Sequence, residues 1–194
     1  MRIVVIGDSM VTGLRTPEGC SFPSILNRET PDEWINLGVN GDSSYGILAR
    51  LSSEAFPLKP DAVLLNCGGN DLMLTANVDL PKTAMMGFTH QCVARGIKPI
   101  VSIPIPFRSF PEKWHPAAVS MERFHASLDE YIKWLRVFVS ISNLRFVDFA
   151  KAFEENEHLG LWQDDLMHPN ELGHRIMADA VLHSNFYHSA HPEK

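Results

Sequence analysis

At 194 residues, 45% hydrophobic and 21% charged, the chain has the make-up of a globular protein and the length of one domain, taken as residues 1–194. A formal net charge of −6, with no basic cluster among aromatics, argues against broad nucleic-acid binding. No apolar run reaches the roughly 18 residues of a spanning helix, so no stable membrane insertion is expected.

An apolar run, Ile3-Val4-Val5-Ile6 behind Arg2, predicts a short buried strand over 2–6, with Gly7-Asp8-Ser9 at its carboxyl end. The chain enters this strand at once, so no signal segment is expected within it, although a mature chain with its signal removed would look similar. Cys20, Cys67 and Cys92 are odd in number and widely spaced, as reduced thiols are. Both observations lead us to expect a cytoplasmic protein.

Further β-rich runs predict strands over 34–37, 62–66, 99–103 and 145–147. Residues 62–65 and 100–103 are apolar almost throughout, the pattern of strands covered on both faces. Ser43 or Ser44 can cap a helix running to about residue 53, with Ile47, Leu48 and Leu51 at helical spacing. Asp79, followed by Pro81, predicts the N-cap of a helix that carries Met85, Phe88, Cys92 and Val93 and stops at Gly96. A long helix is predicted over about 117–142, with Leu128, Ile132, Leu135 and Val139 as its apolar stripe. The last begins at Asn170, with Leu172, Ile176, Ala180 and Val181 in register.

This alternation predicts an α/β fold with a mainly parallel sheet, right-handed crossovers and helices on both faces. Two connections, 104–116 and about 154–169, exceed the roughly 12 residues beyond which loops in compact domains tend to be functional or disordered. Both are expected at the carboxyl rim of the sheet, where open α/β sheets bind ligands.

That rim gathers chemistry. Serine is a poor nucleophile until a neighbouring base takes its proton, and His168 is the residue type that does this near neutral pH. Asp165, three positions earlier, can reach the other ring nitrogen and stabilise the imidazolium. Pro169 keeps His168 extended, and Asn170 caps the final helix. An oxyanion developing on an acyl carbonyl would find three donors: the Ser9 and Gly41 backbone N–H groups and the Asn70 side-chain amide. With strand order 2-1-3-4-5, the loops carrying Ser9, Gly41 and Asn70 leave adjacent strands at one end. The segment 154–168 then has to run back across the rim.

These residues, in Gly7-Asp8-Ser9, Gly41 after Asn36, Gly68-Gly69-Asn70-Asp71 and Asp165-x-x-His168-Pro169, resemble the SGNH hydrolases, or GDSL esterase and lipase family. The resemblance implies a flavodoxin-like, three-layer αβα sandwich around a five-stranded parallel sheet. It implies metal-independent, cofactor-free hydrolysis of small-molecule carboxylic esters or thioesters. Family members act on lysophospholipids, acyl thioesters, aryl esters and acetylated sugars. Met10 stands where a leucine gives the family its name.

Other residues take plainer roles. Asp8 and Asp71 read as loop organisers, and Asp164 is a second candidate for the orienting acid. His183, His188 and His191 read as a solvated tail and His174 as a packing or surface residue; no carboxylate or cysteine near them has zinc-site spacing. Cys67 reads as a small buried hydrophobe. Phe107, Phe110 and Trp114, in the loop after strand four, either line a pocket for a short-to-medium acyl chain or anchor that loop to the core. The competing function is a non-catalytic flavodoxin-like binding module. Nucleotide binding is not expected, because no Gly-x-Gly-x-x-Gly turn follows strand one.

Overall fold

In the computed structural model, which describes residues 1–107, 109, 111 and 119–190, the strands β1 (Arg2–Gly7), β2 (Glu33–Gly38), β3 (Ala62–Asn66), β4 (Lys98–Ile103) and β5 (Arg145–Asp148) form one sheet. All pairings are parallel, in the order β2-β1-β3-β4-β5. β1 after Arg2 and β3 throughout are buried, which fits the apolar runs Ile3–Ile6 and Ala62–Leu65 within them. The register pairs Gly7 with Gly38 on one side and Asn66 on the other. The turns leaving β1, β2 and β3 therefore start level, one strand spacing of about 4.8 Å apart.

Helices cover both faces in two packed groups, giving the three-layer αβα arrangement. On one side α2 (Phe22–Glu29) and α7 (Phe149–Glu155) pack against α8 (Glu171–Leu182). On the other, α5 (Asp79–Val93) packs against α3 (Ser44–Arg50) and α6 (Met121–Ile141), and α4 (Gly69–Thr75) against α6. Each group closes the core with large buried side chains, Phe22 and Phe149 in the first, Phe88, Phe124 and Tyr131 in the second. Among the described residues no helix is long and apolar enough to cross a membrane.

The structure adds elements to the sequence reading. α2 fills the β1–β2 crossover, where no helix was expected; its marks are Ser21 at the N-cap, Pro23 in the first turn and buried Phe22, Ile25 and Leu26. Two residues separate α4 from β3, and α7 follows β5 without a break, shortening the 154–169 connection. Val78, not Asp79, is the N-cap of α5: the Asn77 side chain accepts the Asp79 N–H at 3.0 Å and draws Asp79 into the first turn. α6 starts at a Ser120 cap, later than expected, and residues 117 and 118 lie outside the described residues. The segment expected as a solvated tail forms α9 (Asn185–Ala190), which Phe186 anchors in the core. His183 and His188 are nevertheless exposed, and His191 lies outside the described residues.

Candidate active site

Glycine is obligatory where β1 ends. A Cβ on Gly7 would lie 2.5 Å from a Val11 methyl and 2.6 Å from the Asn66 carbonyl. The short helix α1 (Ser9–Thr12) can therefore begin against the sheet, capped by Asp8, whose carboxylate accepts the Met10 N–H at 3.0 Å. Ser9 is its first residue.

His168 reaches this serine from the loop before α8. Its Nε2 lies 2.9 Å from Ser9 Oγ, and its Nδ1 lies 2.7 Å from Asp165 Oδ2. Asp165 can only accept when ionised, so the shared proton sits on Nδ1 and Nε2 is free to accept the serine proton. All three side chains are largely buried. The other Asp165 oxygen accepts the backbone N–H groups of Met167 and His168, at 3.1 and 2.9 Å. Burial pushes the Asp165 carboxyl up, but the hydrogen bonds from His168 and Met167 outweigh it and hold the group below its ordinary value. Asp164 is exposed and does not meet His168.

The loop holding the pair is narrow. Trp162 and Pro169 form an antiparallel bridge, and Leu166 turns the chain at φ 57°, in the left-handed region leucine disfavours. Two residues that the sequence reading passed over tie it to the turn after α1: Arg15 Nη1, from that turn, lies 3.2 Å from Asp165 Oδ2, and Gln163 Nε2, from within the loop, donates to Leu14 O at 2.8 Å. Separations near 150 residues gave no local signal for either contact.

The three candidate oxyanion donors sit on the level turns after β1, β2 and β3. Gly41, at φ 75°, occupies a turn closed by the Asp42 N–H on Val39 O at 3.1 Å, a conformation that favours glycine. Neither the Ser9 nor the Gly41 N–H donates to another described residue. Asn70 Nδ2 donates to Asp42 O at 2.9 Å and makes a longer 3.4 Å contact with Asp8 Oδ2. The turns are bolted together. Thr12 Oγ1 donates to Asn40 Oδ1 at 2.6 Å, and the Asp71 carboxylate takes both the N–H and the hydroxyl of Ser44, each at 2.9 Å. Burial, with Asp71 nearby, drives the Asp8 carboxyl up to about 7 against the pull of the Met10 N–H.

Beside Leu166 opens a cavity of about 320 Å³ walled by Pro106, Phe153 and Trp162, with Glu154 and Glu157 also lining it. A second, of about 420 Å³, lies across the loop and includes Arg15, Gln163, Asp164 and Glu171. Phe107 packs into the core on Phe124, ring centroids 5.0 Å apart, while its neighbour Pro106 faces the first cavity. Phe110 and Trp114 lie outside the described residues. His174 is buried and stacked on Phe22, accepting the Phe22 N–H at 3.3 Å; burial, then the nearby His168, pushes it down to about 4. Cys20, Cys67 and Cys92 are free thiols, and burial drives Cys67 well above its ordinary value. Among the described residues no group of three His, Cys, Asp or Glu could hold a metal ion.

Comparison with known proteins gives a consistent pattern. A family model described as GDSL-like lipase/acylhydrolase matches residues 5–176. Thioesterase 1/protease 1/lysophospholipase L1 of Escherichia coli K12 is 33% identical over 75 residues, 36% of this chain and 34% of that protein. An arylesterase of Vibrio mimicus is 33% identical over 75 residues, 36% of this chain and 38% of that protein. The chain thus spans little more than a third of the curated relatives it matches. Solved structures match much further: a lipolytic G-D-S-L family member from Veillonella parvula superposes at TM-score 0.73 and 19% identity, covering 94% of this chain and 96% of that one. The acetylxylan esterase Axe2 of Geobacillus stearothermophilus does so at TM-score 0.73 and 20% identity, covering 93% and 92%. At such identities the likeness is one of fold.

Proposed function

The chain belongs to the GDSL-like lipase/acylhydrolase family, and from that premise we propose that it hydrolyses carboxylic esters through an acyl-enzyme formed on Ser9, with residues 1–194 working as one domain. The observation that carries this reading is the relay Asp165–His168–Ser9, at 2.7 and 2.9 Å. Ser9 Oγ attacks the acyl carbon as His168 Nε2 takes its proton, and Asp165 stabilises the imidazolium. His168 then protonates the departing alkoxide, leaving the acyl group on Ser9. A water molecule gives its proton to His168 and attacks the acyl carbon. The acid leaves, and the proton returns to Ser9.

The oxyanion formed in both halves is held by the Ser9 and Gly41 N–H groups and by Asn70. Of the two Asn70 N–H groups, the one at 3.4 Å from Asp8 is the weaker held and turns to the substrate. A relay of this kind speaks against a non-catalytic binding module, which needs no nucleophile–base pair. The thioesterase, arylesterase and acetylxylan esterase names among the similar proteins bracket the substrate class. The 320 Å³ cavity meets the loop of the relay at Trp162 and Leu166, without Ser9 or His168 in its own lining, and we assign it a short-to-medium acyl chain on the strength of its apolar wall of Pro106, Phe153, Trp162 and Leu166. Three unpaired cysteines suit a reducing compartment, in keeping with a cytoplasmic enzyme.

The test is turnover of p-nitrophenyl esters from acetyl to palmitoyl. Ser9→Ala loses about 10⁴-fold or more in kcat, and kcat/KM peaks at short or medium chains. Undiminished turnover by Ser9→Ala overturns the mechanism; a peak at palmitoyl overturns the acyl-length assignment alone.

A further inference from the structure

Ser9 and His168 meet across 159 positions of sequence, and side chains outside the relay carry that meeting. The chain leaving α1 turns at Leu14 and Arg15, with Arg15 at φ 62°. The Leu14 N–H returns to the nucleophile, donating to Ser9 O at 3.2 Å. From this turn two contacts cross to the loop bearing Asp165 and His168. Gln163 spends both side-chain N–H bonds at once, on Leu14 O and Pro169 O, each at 2.8 Å. Its main chain closes the same loop, the N–H donating to His168 O at 2.8 Å and the carbonyl accepting the Leu166 N–H at 2.9 Å. The other contact is Arg15 Nη1 on Asp165 Oδ2, the oxygen that also holds His168 Nδ1.

We propose that Gln163 and Arg15 form a two-part clamp on the base side of the site, Gln163 fixing where His168 stands relative to Ser9 and Arg15 sharing the Asp165 carboxylate to set how firmly it backs the imidazole. The proposal rests on the reading of Ser9, His168 and Asp165 as the catalytic relay, and both clamp residues are positioning residues. Among the described residues, Gln163 is the single side chain bonded both to the turn behind the nucleophile and to the residue after the base. Without its amide two carbonyls lose this donor and the loop loses one of its two ties to the turn after α1, and small misplacements of a base cost rate steeply. Arg15 acts through charge. A guanidinium on the carboxylate offsets part of the negative potential that favours imidazolium, so its removal lets the Asp165–His168 pair keep its proton to higher pH. Half of the Arg15 side chain is exposed, so solvent and salt weaken this influence.

Other ionisable groups stand near the pair. They are His174 on α8, held neutral by burial, Asp164 and Glu171 along the second cavity, and Asp8 beside Ser9. None of them is altered by the variants below.

The experiment is the pH dependence of p-nitrophenyl acetate hydrolysis by the full chain, with Ser9→Ala as reference. Arg15→Gln moves the acid limb of kcat/KM up by about half to one pH unit at low salt. Arg15→Lys returns the limb most of the way, and added salt shrinks the displacement. Gln163→Met lowers kcat about tenfold or more at every pH, leaves the limb in place and changes KM less than about twofold. A limb that Arg15→Gln leaves in place, or that Arg15→Lys does not restore, overturns the charge half; unchanged kcat in Gln163→Met overturns the positional half. Should Gln163→Met unfold, Gln163→Asn, which keeps the donors on a shorter stem, is measured in its place with the same criterion. If Ser9→Ala stays active, the relay itself is wrong; if Ser9→Ala is dead and the clamp variants behave as wild type, the clamp alone is wrong.

Discussion

The two sides of the site are built in different ways. The proposed oxyanion side consists of turns at the ends of adjacent strands, and two of its three candidate donors are backbone N–H groups whose positions follow from the register of Gly7 with Gly38 and Asn66. The base side is a loop tied down by side chains, Gln163 to Leu14 and Arg15 to Asp165. Backbone donors survive most substitutions, because the sheet holds them. A base on a loop depends on particular side-chain contacts between segments far apart in sequence, and it should fail more easily and in more graded ways.

The largest effects test this difference directly. His168→Ala removes the proton acceptor and lowers kcat by about 10⁴-fold or more, while Asp165→Asn, which costs His168 its tautomer control, lowers it by about 10³–10⁴-fold. Burst kinetics with p-nitrophenyl acetate measure both. Asn70→Ala removes the one side-chain donor of the oxyanion side and costs about 10²–10³-fold in kcat, because Ser9 and Gly41 still donate. A loss in Asn70→Ala as deep as that in His168→Ala would break the comparison, since the oxyanion side would then depend on a side chain as heavily as the base side does.

The same difference decides what could be read from sequence. Apolar runs mark the strands but leave their order open; the order 2-1-3-4-5 enters as a premise beside the family resemblance, and with it the turns carrying Ser9, Gly41 and Asn70 leave adjacent strands, as they do in the fold. Asp165 and His168 were legible because one turn of chain joins them. Arg15 and Gln163 were not, since nothing local distinguishes an arginine or a glutamine that meets its partner about 150 positions away. Helices α2, α4 and α7 were missed for a local reason. Each is short, and cap signals such as Ser21 with Pro23 or Asp148 look like ordinary turn chemistry until packing selects the helix. Phe107 could have faced a pocket or the core, and only packing against Phe124 distinguishes the two.

Two buried ionisable groups, one on each side, sharpen the comparison at a smaller scale. On the oxyanion side, Asp8 is raised to about 7 by burial, with Asp71 and Asp42 adding to the effect. Between about pH 4 and 7 the folded chain keeps a proton that the unfolded chain releases, so this group makes the protein less stable as pH rises. On the base side, His174 is lowered to about 4 by burial and by His168. Between about pH 4 and 6.5 the unfolded chain takes up a proton that the folded one refuses, so this group makes the protein more stable as pH rises. The opposed slopes, each at most about 1.4 kcal/mol per pH unit, partly cancel in the wild type where the two windows overlap. Thermal denaturation at pH 4 to 7 separates them: Asp8→Asn loses stability on acidification, and His174→Gln gains it. Two variants that both track the wild type would remove either group from the balance.

The smallest effect concerns Leu166, which serves the base side at a cost. A left-handed leucine carries roughly 1–2 kcal/mol of backbone strain, yet this one is 55% exposed and cannot recover that by full burial. It lies between Asp165 and His168, where the chain must turn tightly for the carboxylate to reach both the ring and two backbone N–H groups. Asparagine tolerates this backbone region better. Leu166→Asn should therefore raise the melting temperature by up to about 3 °C and leave kcat for the acetyl ester nearly unchanged. The loss falls on the cavity wall: KM for butyryl relative to acetyl esters rises roughly twofold, as part of one methylene's burial is forfeited. A lower melting temperature would mean that the leucine side chain, through Trp162 and Pro106 across the cavity, holds the turn closed, and the base side would then depend on one more remote contact than Gln163 and Arg15 supply.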